Sequence, residues 1–310
     1  MKLIFFGTPD FAAVILKALL PAHQVLAVVT QPDRPKGRGH AVQFSPVKVL
    51  AADNNLPVHQ PETLRGVSIR EILAEYGADA FIAAAYGLLL PPKILALPKH
   101  GCLCVHASLL PKYRGAAPMQ YAILNGDTVT GVTIMQMDKG MDTGDMVLQR
   151  RLPILPGERL PGLHDRMAAL GAECILETLS QIENGTAERT PQDNRLATYA
   201  PMISKEDGHI DWGKTSAQVM NVIRATDPWP GAYTLYQGQA LKVWECEPLS
   251  GGNNTGEPGT VLRSDARSGL LIKTGDGVMK VLEVQAVGGK RMAAADYLRG
   301  HPVEAGAKLA

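Results

Sequence analysis

The sequence predicts an α/β protein: a Rossmann-like doubly wound sheet over residues 1–188, a linker at 189–207 and a small OB-like β-barrel over 208–310. Three observations carry this expectation. Continuous apolar runs alternate with stretches of helical period through the first half of the chain, the pattern of parallel strands buried on both faces and crossed by helices. From Ala232 onward the runs shorten, alternate with polar residues and are separated by glycine-rich turns, as in a small antiparallel barrel. A chain of 310 residues also exceeds one typical hydrophobic core.

Taken in order, residues 2–6 form an apolar run that ends in GTPDF, and Phe11, Val14, Ile15, Ala18 and Leu19 then recur at helical spacing. A buried strand, a turn and a crossover helix are expected. A strand from Val25 to Thr30, a helix at 46–53, a short strand near Val58, a helix at 68–76 and a strand from Ala78 to Ala85 continue the alternation. Cys102 to Val105 is the next strand; a helix starting at Gly115 and running to about Leu124 follows, then strands Gly131 to Met137 and Met146 to Ile154 and a helix over 161–184. Between Thr186 and Gly208 the pattern loosens into PQDNR and YAPMISKEDG, which reads as a linker. A helix to about Ala225 is stopped by DPWPGAY, and strands at 232–236, 240–245, 259–263, 270–274 and 279–287 complete the barrel.

Charge is balanced, with 31 basic against 30 acidic residues, so any nucleic-acid contact rests on local patches. Residues 207–310 repeat the balance, with 11 of each sign. Cys102, Cys104, Cys174 and Cys246 are too few for a disulfide scaffold and lack paired CxxC spacing, which fits a reducing cytoplasm. MKLIFFGTPDF is broken by Gly7 and Pro9 and reads as a first strand rather than a signal peptide. No run reaches the roughly 18 apolar residues of a membrane span. The first βα turn lacks GxGxxG, so no dinucleotide is implied. Asp138, Asp142 and Asp145 do not match the spacing of a calcium loop, and no metal is expected.

Chemistry concentrates in a few stretches. An apolar strand delivers His106 to its carboxyl end, where the crevice of an open α/β sheet lies, ahead of SLLP and the basic pair Lys112 and Arg114. Gly140 and Gly144 bracket Asp142 in MDKGMDTGDM, a carboxylate to set against His106. A carboxylate placed against His106 would favour the charged form of its ring. Residue 104, two before His106 on a strand, points to the same site. Tyr86 to Leu90 ends another strand and reads either as the wall of a pocket for a flat ligand or as ordinary packing. QPDRPKGRGHAVQFSP carries Arg34, Lys36, Arg38 and His40, either a solvated loop or a flexible finger for phosphates. Lys290 and Arg291 form the one compact basic pair of the C-terminal part, a solvated turn or an RNA contact.

FFGTPDFAA, TQPDRPKGRG, SPVKVLA, AAYGLLLP, HASLLPKYRGAAPMQ, GVTIMQMDKGMDTGDM, ISKEDGHIDW and DPWPGAY follow one another as in the bacterial methionyl-tRNA formyltransferase family, which the chain resembles over nearly its whole length. Glycinamide ribonucleotide formyltransferase resembles only the first part. The resemblance implies the formyltransferase fold, a monomer, and formyl transfer from 10-formyltetrahydrofolate to the α-amino group of methionyl initiator tRNA. In that family an Asn, a His two residues later and a distant Asp form the catalytic group. His106 and Asp142 stand at the His and Asp positions, and Cys104 stands at the Asn position. The resemblance further implies formylfolate contacts at Tyr86, Gly87, Leu88, Leu89, Leu90, Ser108, Leu109, Leu110, Pro111, Met137, Asp138 and Gly140, and tRNA contacts at Arg34, Lys36, Arg38, Lys290 and Arg291.

Cys104 is the main departure. A carboxamide offers two N–H donors, whereas a thiol is shorter and a weak donor, so transfer is expected to be impaired by a factor on the order of 10²–10³. Compensation by other donors and a thiol with nucleophilic or metal chemistry of its own are the competing readings of that residue. A non-catalytic folate- and tRNA-binding protein, and a formyltransferase acting on a sugar-nucleotide amine, are the alternatives for the chain.

Overall fold

The computed structural model describes residues 1–36, 41–249, 256–265, 267 and 269–310. Two compact units are present: Met1–Pro118, Val129–Pro153 and Leu163–Pro201 form the first, and Met119–Thr128, Ile154–Gly162 and Met202–Ala310 the second.

The first part of the chain runs β1 (Lys2–Gly7), α1 (Asp10–Leu19), β2 (Gln24–Val29), the short strands β3 (Arg34–Lys36) and β4 (Ala41–Gln43), α2 (Pro46–Asp53), β5 (Val58–His59), α3 (Val67–Glu75), β6 (Ala80–Ala84), α4 (Pro92–Leu95), β7 (Cys102–His106), α5 (Pro118–Leu124), β8 (Val129–Gln136), β9 (Met146–Pro153) and α6 (Leu160–Glu183). A sheet of order β5-β2-β1-β6-β7-β8-β9 forms its centre. Pairings from β5 through β7 are parallel, as the unbroken apolar runs require; β7–β8 and β8–β9 are antiparallel, so the doubly wound pattern ends in a mixed sheet. β9 explains why this half looks different in sequence: Gln149, Arg150 and Arg151 are exposed or half-exposed, as suits an edge strand with charge along it.

Strand order reverses between β1 and β6, the switch point at which open α/β sheets bind ligands. Ile4, Phe6, Phe81 and Ala83 pack there into a buried cluster with Tyr86 and Leu90. Ser45 caps α2 by accepting from the Lys48 N–H, with Pro46 in its first turn.

Two local expectations change. The helix expected from Gly115 begins at Pro118, because Gly115 sits at φ +118° and turns its N–H elsewhere. Residues 186–201, irregular in sequence, are hydrogen-bonded within the first unit: Met146 and Thr190 exchange two backbone bonds, and Arg114 bonds to Thr198 and Ala200.

In the second unit, α7 (Ser216–Ala225) starts on a capping box between Thr215 and Gln218. Strands β10 (Tyr233–Tyr236), β11 (Gln239–Pro248), β12 (Val261–Asp265), β13 (Gly269–Lys273) and β14 (Val278–Ala286) form an antiparallel sheet of order β10-β11-β14-β13-β12, a half-barrel of the expected OB-like kind. Two elements absent from the expectation follow, β15 (Met292–Ala293), paired with β14, and α8 (Ala294–Gly300). Ile210, Trp212, Val243, Val261, Met279 and Val281 are core residues, and the Trp212 indole N–H donates to the Thr234 hydroxyl at 2.9 Å.

Tyr86 is 4% exposed, and its hydroxyl is buried without a partner among the described residues. Burial pushes its phenol up to about 12. An unfolded tyrosine ionises near pH 10, so this neutral phenol favours the fold below about pH 10, and that contribution is lost as pH rises towards 12. Tyr86→Phe is expected to leave stability at neutral pH equal or raised, by at most about 1–3 kcal/mol, and to flatten the alkaline fall, read by urea denaturation across pH.

Candidate active site

Residues 102, 104 and 106 project from one face of β7. His106 is 6% exposed, and its Nε2 lies 2.9 Å from the Tyr113 carbonyl oxygen. A carbonyl only accepts, so Nε2 carries the hydrogen. The neutral ring therefore has its lone pair on Nδ1. That atom faces the Asp142 carboxylate, with Oδ2 at 3.7 Å. The separation exceeds a hydrogen bond but gives a nearby negative charge for an imidazolium.

Asp142 reaches this place by a chain reversal. β8 runs antiparallel to β7, so the segment after Gln136 starts beside Cys102 and returns over the strand's face. Asp142 has φ +55°, a conformation that Asp tolerates better than most residues. Its carboxylate accepts from the Gly115 N–H at 2.8 Å. Gly115 is required there, since a Cβ would lie 2.7 Å from the Ala200 carbonyl oxygen. Tyr113, at φ +62°, turns its carbonyl to His106 while its N–H donates to the Thr198 hydroxyl. Positive-φ residues other than glycine thus stand on both sides of the imidazole, as is common where a site is held against local preference.

Cys104 is half-buried, and all four cysteines are free thiols. Burial, followed by the Asp142 charge, pushes the Cys104 thiol well above the ordinary range. Cys102 is buried and pushed up to about 12 by burial. The nucleophilic form of either is therefore scarce at neutral pH. No cluster of metal-ligating side chains occurs among the described residues.

The other residues singled out in the sequence divide. Tyr86 is buried, with Phe6 edge-on to its ring, whereas Leu88 and Leu89 are exposed and Leu90 is buried. Gly87, at φ +89°, lets that turn open towards a groove of about 1060 Å³ at the β1/β6 switch point, whose walls include Thr8, Asp10, Arg34, Phe44 and Leu88. Ser108 is fully buried and donates to the Lys112 carbonyl oxygen at 2.6 Å; Leu110 is buried, its N–H donating to Thr133. Leu109 and Pro111 are partly exposed. Met137 packs beside the β1/β6 cluster, and Asp138 accepts from the Gly140 N–H and the Thr143 hydroxyl.

Arg34 is exposed; Arg38, His40 and the Lys36 side chain lie outside the described residues. In the second unit Lys290 is exposed, and Arg291 is paired with Glu283 and stacked over Trp244 at 5.2 Å. Sequence reasoning missed Gln192, Asn194 and Thr198, which surround Arg114 and the Asp142 turn. They sit in the stretch read as linker, where no periodicity marks them.

The family model described as "Formyl transferase" matches residues 1–179, and that described as "Formyl transferase, C-terminal domain" matches residues 202–302. The chain is 46% identical over 311 residues to the methionyl-tRNA formyltransferase of Caldanaerobacter subterraneus subsp. tengcongensis, covering all of both chains. It is 44% identical over 310 residues to that of Geobacter metallireducens, covering all of this chain and 98% of the relative. The chain belongs to the methionyl-tRNA formyltransferase family. Its fold also recurs in the N-formyltransferase of Helicobacter canadensis solved with folinic acid and dTDP-3-aminofucose, at TM-score 0.66 and 21% identity over 91% of this chain and 98% of that one. HypX of Aquifex aeolicus in complex with tetrahydrofolic acid gives TM-score 0.63 and 20% identity over 96% of this chain and 47% of that one.

The raised Cys104 thiol has a direct consequence for labelling. Iodoacetamide at neutral pH is expected to leave Cys104 unmodified in the folded protein and to modify it fully in denaturant, as read by peptide mass spectrometry. Fast native labelling would show that a thiolate forms in the site.

Proposed function

We propose that this chain transfers a formyl group from 10-formyltetrahydrofolate to the α-amino group of methionyl initiator tRNA, with His106 and Asp142 as catalytic residues and Cys104 as a poor substitute for an oxyanion donor. The observation that carries the reading is full-length likeness to methionyl-tRNA formyltransferases at 44–46% identity, C-terminal domain included. Likeness to the sugar N-formyltransferase extends only to the fold.

The geometry supplies the steps. The amine nitrogen attacks the formyl carbon, a C–N bond forms, and the carbonyl oxygen becomes an oxyanion. The amine proton passes to the His106 Nδ1 lone pair, the ring nitrogen free of a hydrogen bond and facing Asp142. The resulting imidazolium stands between the Asp142 carboxylate and the oxyanion and is stabilised by both charges. Collapse breaks the bond from carbon to N10 of the folate, and the Nδ1 proton leaves with that nitrogen. Formyl, proton and electron pair are all accounted for.

Exposed Leu88, Leu89 and Met141 offer apolar surface to the folate ring system, together with the Tyr86–Leu90 turn and Met137, Asp138 and Gly140. Ser108 to Pro111 hold the wall behind it. The methionyl end approaches along the groove bearing Arg34 and Phe44, and Arg34, Lys36, Arg38, Lys290 and Arg291 are the residues assigned to RNA phosphates.

At position 104 the thiol contributes one weak donor where the family's Asn contributes two N–H groups. Cys104→Asn is expected to raise the single-turnover rate of formylation of charged initiator tRNA by a factor on the order of 10²–10³. Agreement of the two rates within a few-fold would sink the oxyanion-donor role of this position.

A further inference from the structure

We propose that Gln192 is a positioning residue for formyl transfer: its carboxamide ties the Asp142 turn to the buried guanidinium of Arg114 and so sets the carboxylate against His106. The proposal rests on the functional reading above and adds a residue to it from the irregular segment that follows α6.

Gln192 Nε2 donates to the main-chain oxygens of Asp142 at 2.9 Å and Gly144 at 2.7 Å, while Oε1 accepts from Arg114 Nε at 3.1 Å and Nη2 at 2.7 Å. The amide has one possible orientation, since a guanidinium only donates and backbone carbonyls only accept. Both hydrogens and the oxygen are in use. Arg114 is 2% exposed and also donates to Asn194 Oδ1 at 2.8 Å, and its backbone is bonded on both sides to Thr198 and Ala200. The next residue, Gly115, donates to the Asp142 carboxylate.

A closed circuit results: Arg114 to Gln192, Gln192 to the Asp142 backbone, Asp142 carboxylate to Gly115, and Gly115 back to Arg114 through one peptide bond. Asp142 is thus held at two points, its carbonyl and its carboxylate, and both restraints trace to Arg114. Its φ of +55° is an uncommon conformation for a residue other than glycine, and these outside bonds help to hold it. Gln192 has no bond to His106; its effect on the imidazole passes through Asp142.

A glutamate at 192 separates positioning of Asp142 from mere hydrogen bonding to Arg114. Gln192→Glu keeps the length and pairs with Arg114 as an ion, but it sets a carboxylate oxygen against two carbonyl oxygens and loses both donors. Gln192→Met loses every polar contact. Both are made in this chain and in the Cys104→Asn background. The expected result is that both variants fold, by circular dichroism, and that both lower kcat on the order of 10²-fold with KM for formylfolate nearly unmoved. In histidine-labelled protein the His106 Nδ1 resonance should move in both, in the same direction as the shift expected for Asp142→Asn.

Full turnover in Gln192→Glu with an unshifted His106 resonance would overturn the proposal and leave Gln192 as a partner of Arg114 only. Absence of transfer in every background, Cys104→Asn included, would count against the functional reading. The resonance comparison still decides the positioning role in that case, an Asp142→Asn-like shift supporting it and an unshifted signal overturning it.

Discussion

A guanidinium that is 2% exposed needs an acceptor for its N–H groups, because burying them unpaired costs several kcal/mol. Arg114 meets that need with neutral oxygens, from Gln192 and Asn194. Its backbone bonds to Thr198 and Ala200 draw the same segment against the carboxyl end of β7. The consequence is geometrical. Once the segment is fixed, the Gly115 N–H can point only at Asp142, and the Asp142–Gly144 turn has its own carbonyls engaged from the far side. The Asp142 carboxylate is placed by residues outside its loop.

The histidine is fixed by a simpler constraint. With Nε2–H committed to Tyr113, the ring cannot flip without breaking a buried hydrogen bond, so Nδ1 faces Asp142 in either protonation state. Two unit charges about 4 Å apart interact by about 4 kcal/mol at an effective dielectric near 20. That attraction exists only while the ring is protonated.

Much of this was legible in the sequence. Buried parallel strands read as apolar runs, so β1, β2, β6 and β7 stand where residues 2–6, Val25 to Thr30, Ala78 to Ala85 and Cys102 to Val105 place them, and His106 falls at a strand end. The glycines around Asp142 signalled an unusual turn. Contacts between distant residues carried no local signal: Arg114 and Gln192 are 78 positions apart, and neither lies in a periodic stretch. Gly115 resembled a helix start because small residues and a proline follow it. Its real constraint, a carbonyl too close for a side chain, exists only in three dimensions. The antiparallel β8 and β9 were likewise hidden, since strand direction depends on the return of the chain rather than on composition. Lys290 and Arg291 show the same limit: charge was visible in sequence, but the pairing of Arg291 with Glu283 and its stacking on Trp244 were not.

Position 104 separates fold from chemistry. Cysteine fills a half-buried strand site without disturbing its pairings to Ala83 on one side and Met135 on the other. Nothing in the sheet register depends on its sulfur. The chemistry is another matter, because the burial that strengthens a hydrogen bond to an oxyanion also penalises a thiolate, and the Asp142 charge adds to that penalty. The thiol is thereby confined to its neutral form, which donates weakly and attacks poorly. The imidazole is held by the Tyr113 carbonyl and the carboxylate by the Arg114–Gln192–Gly115 circuit, and none of these bonds involves residue 104.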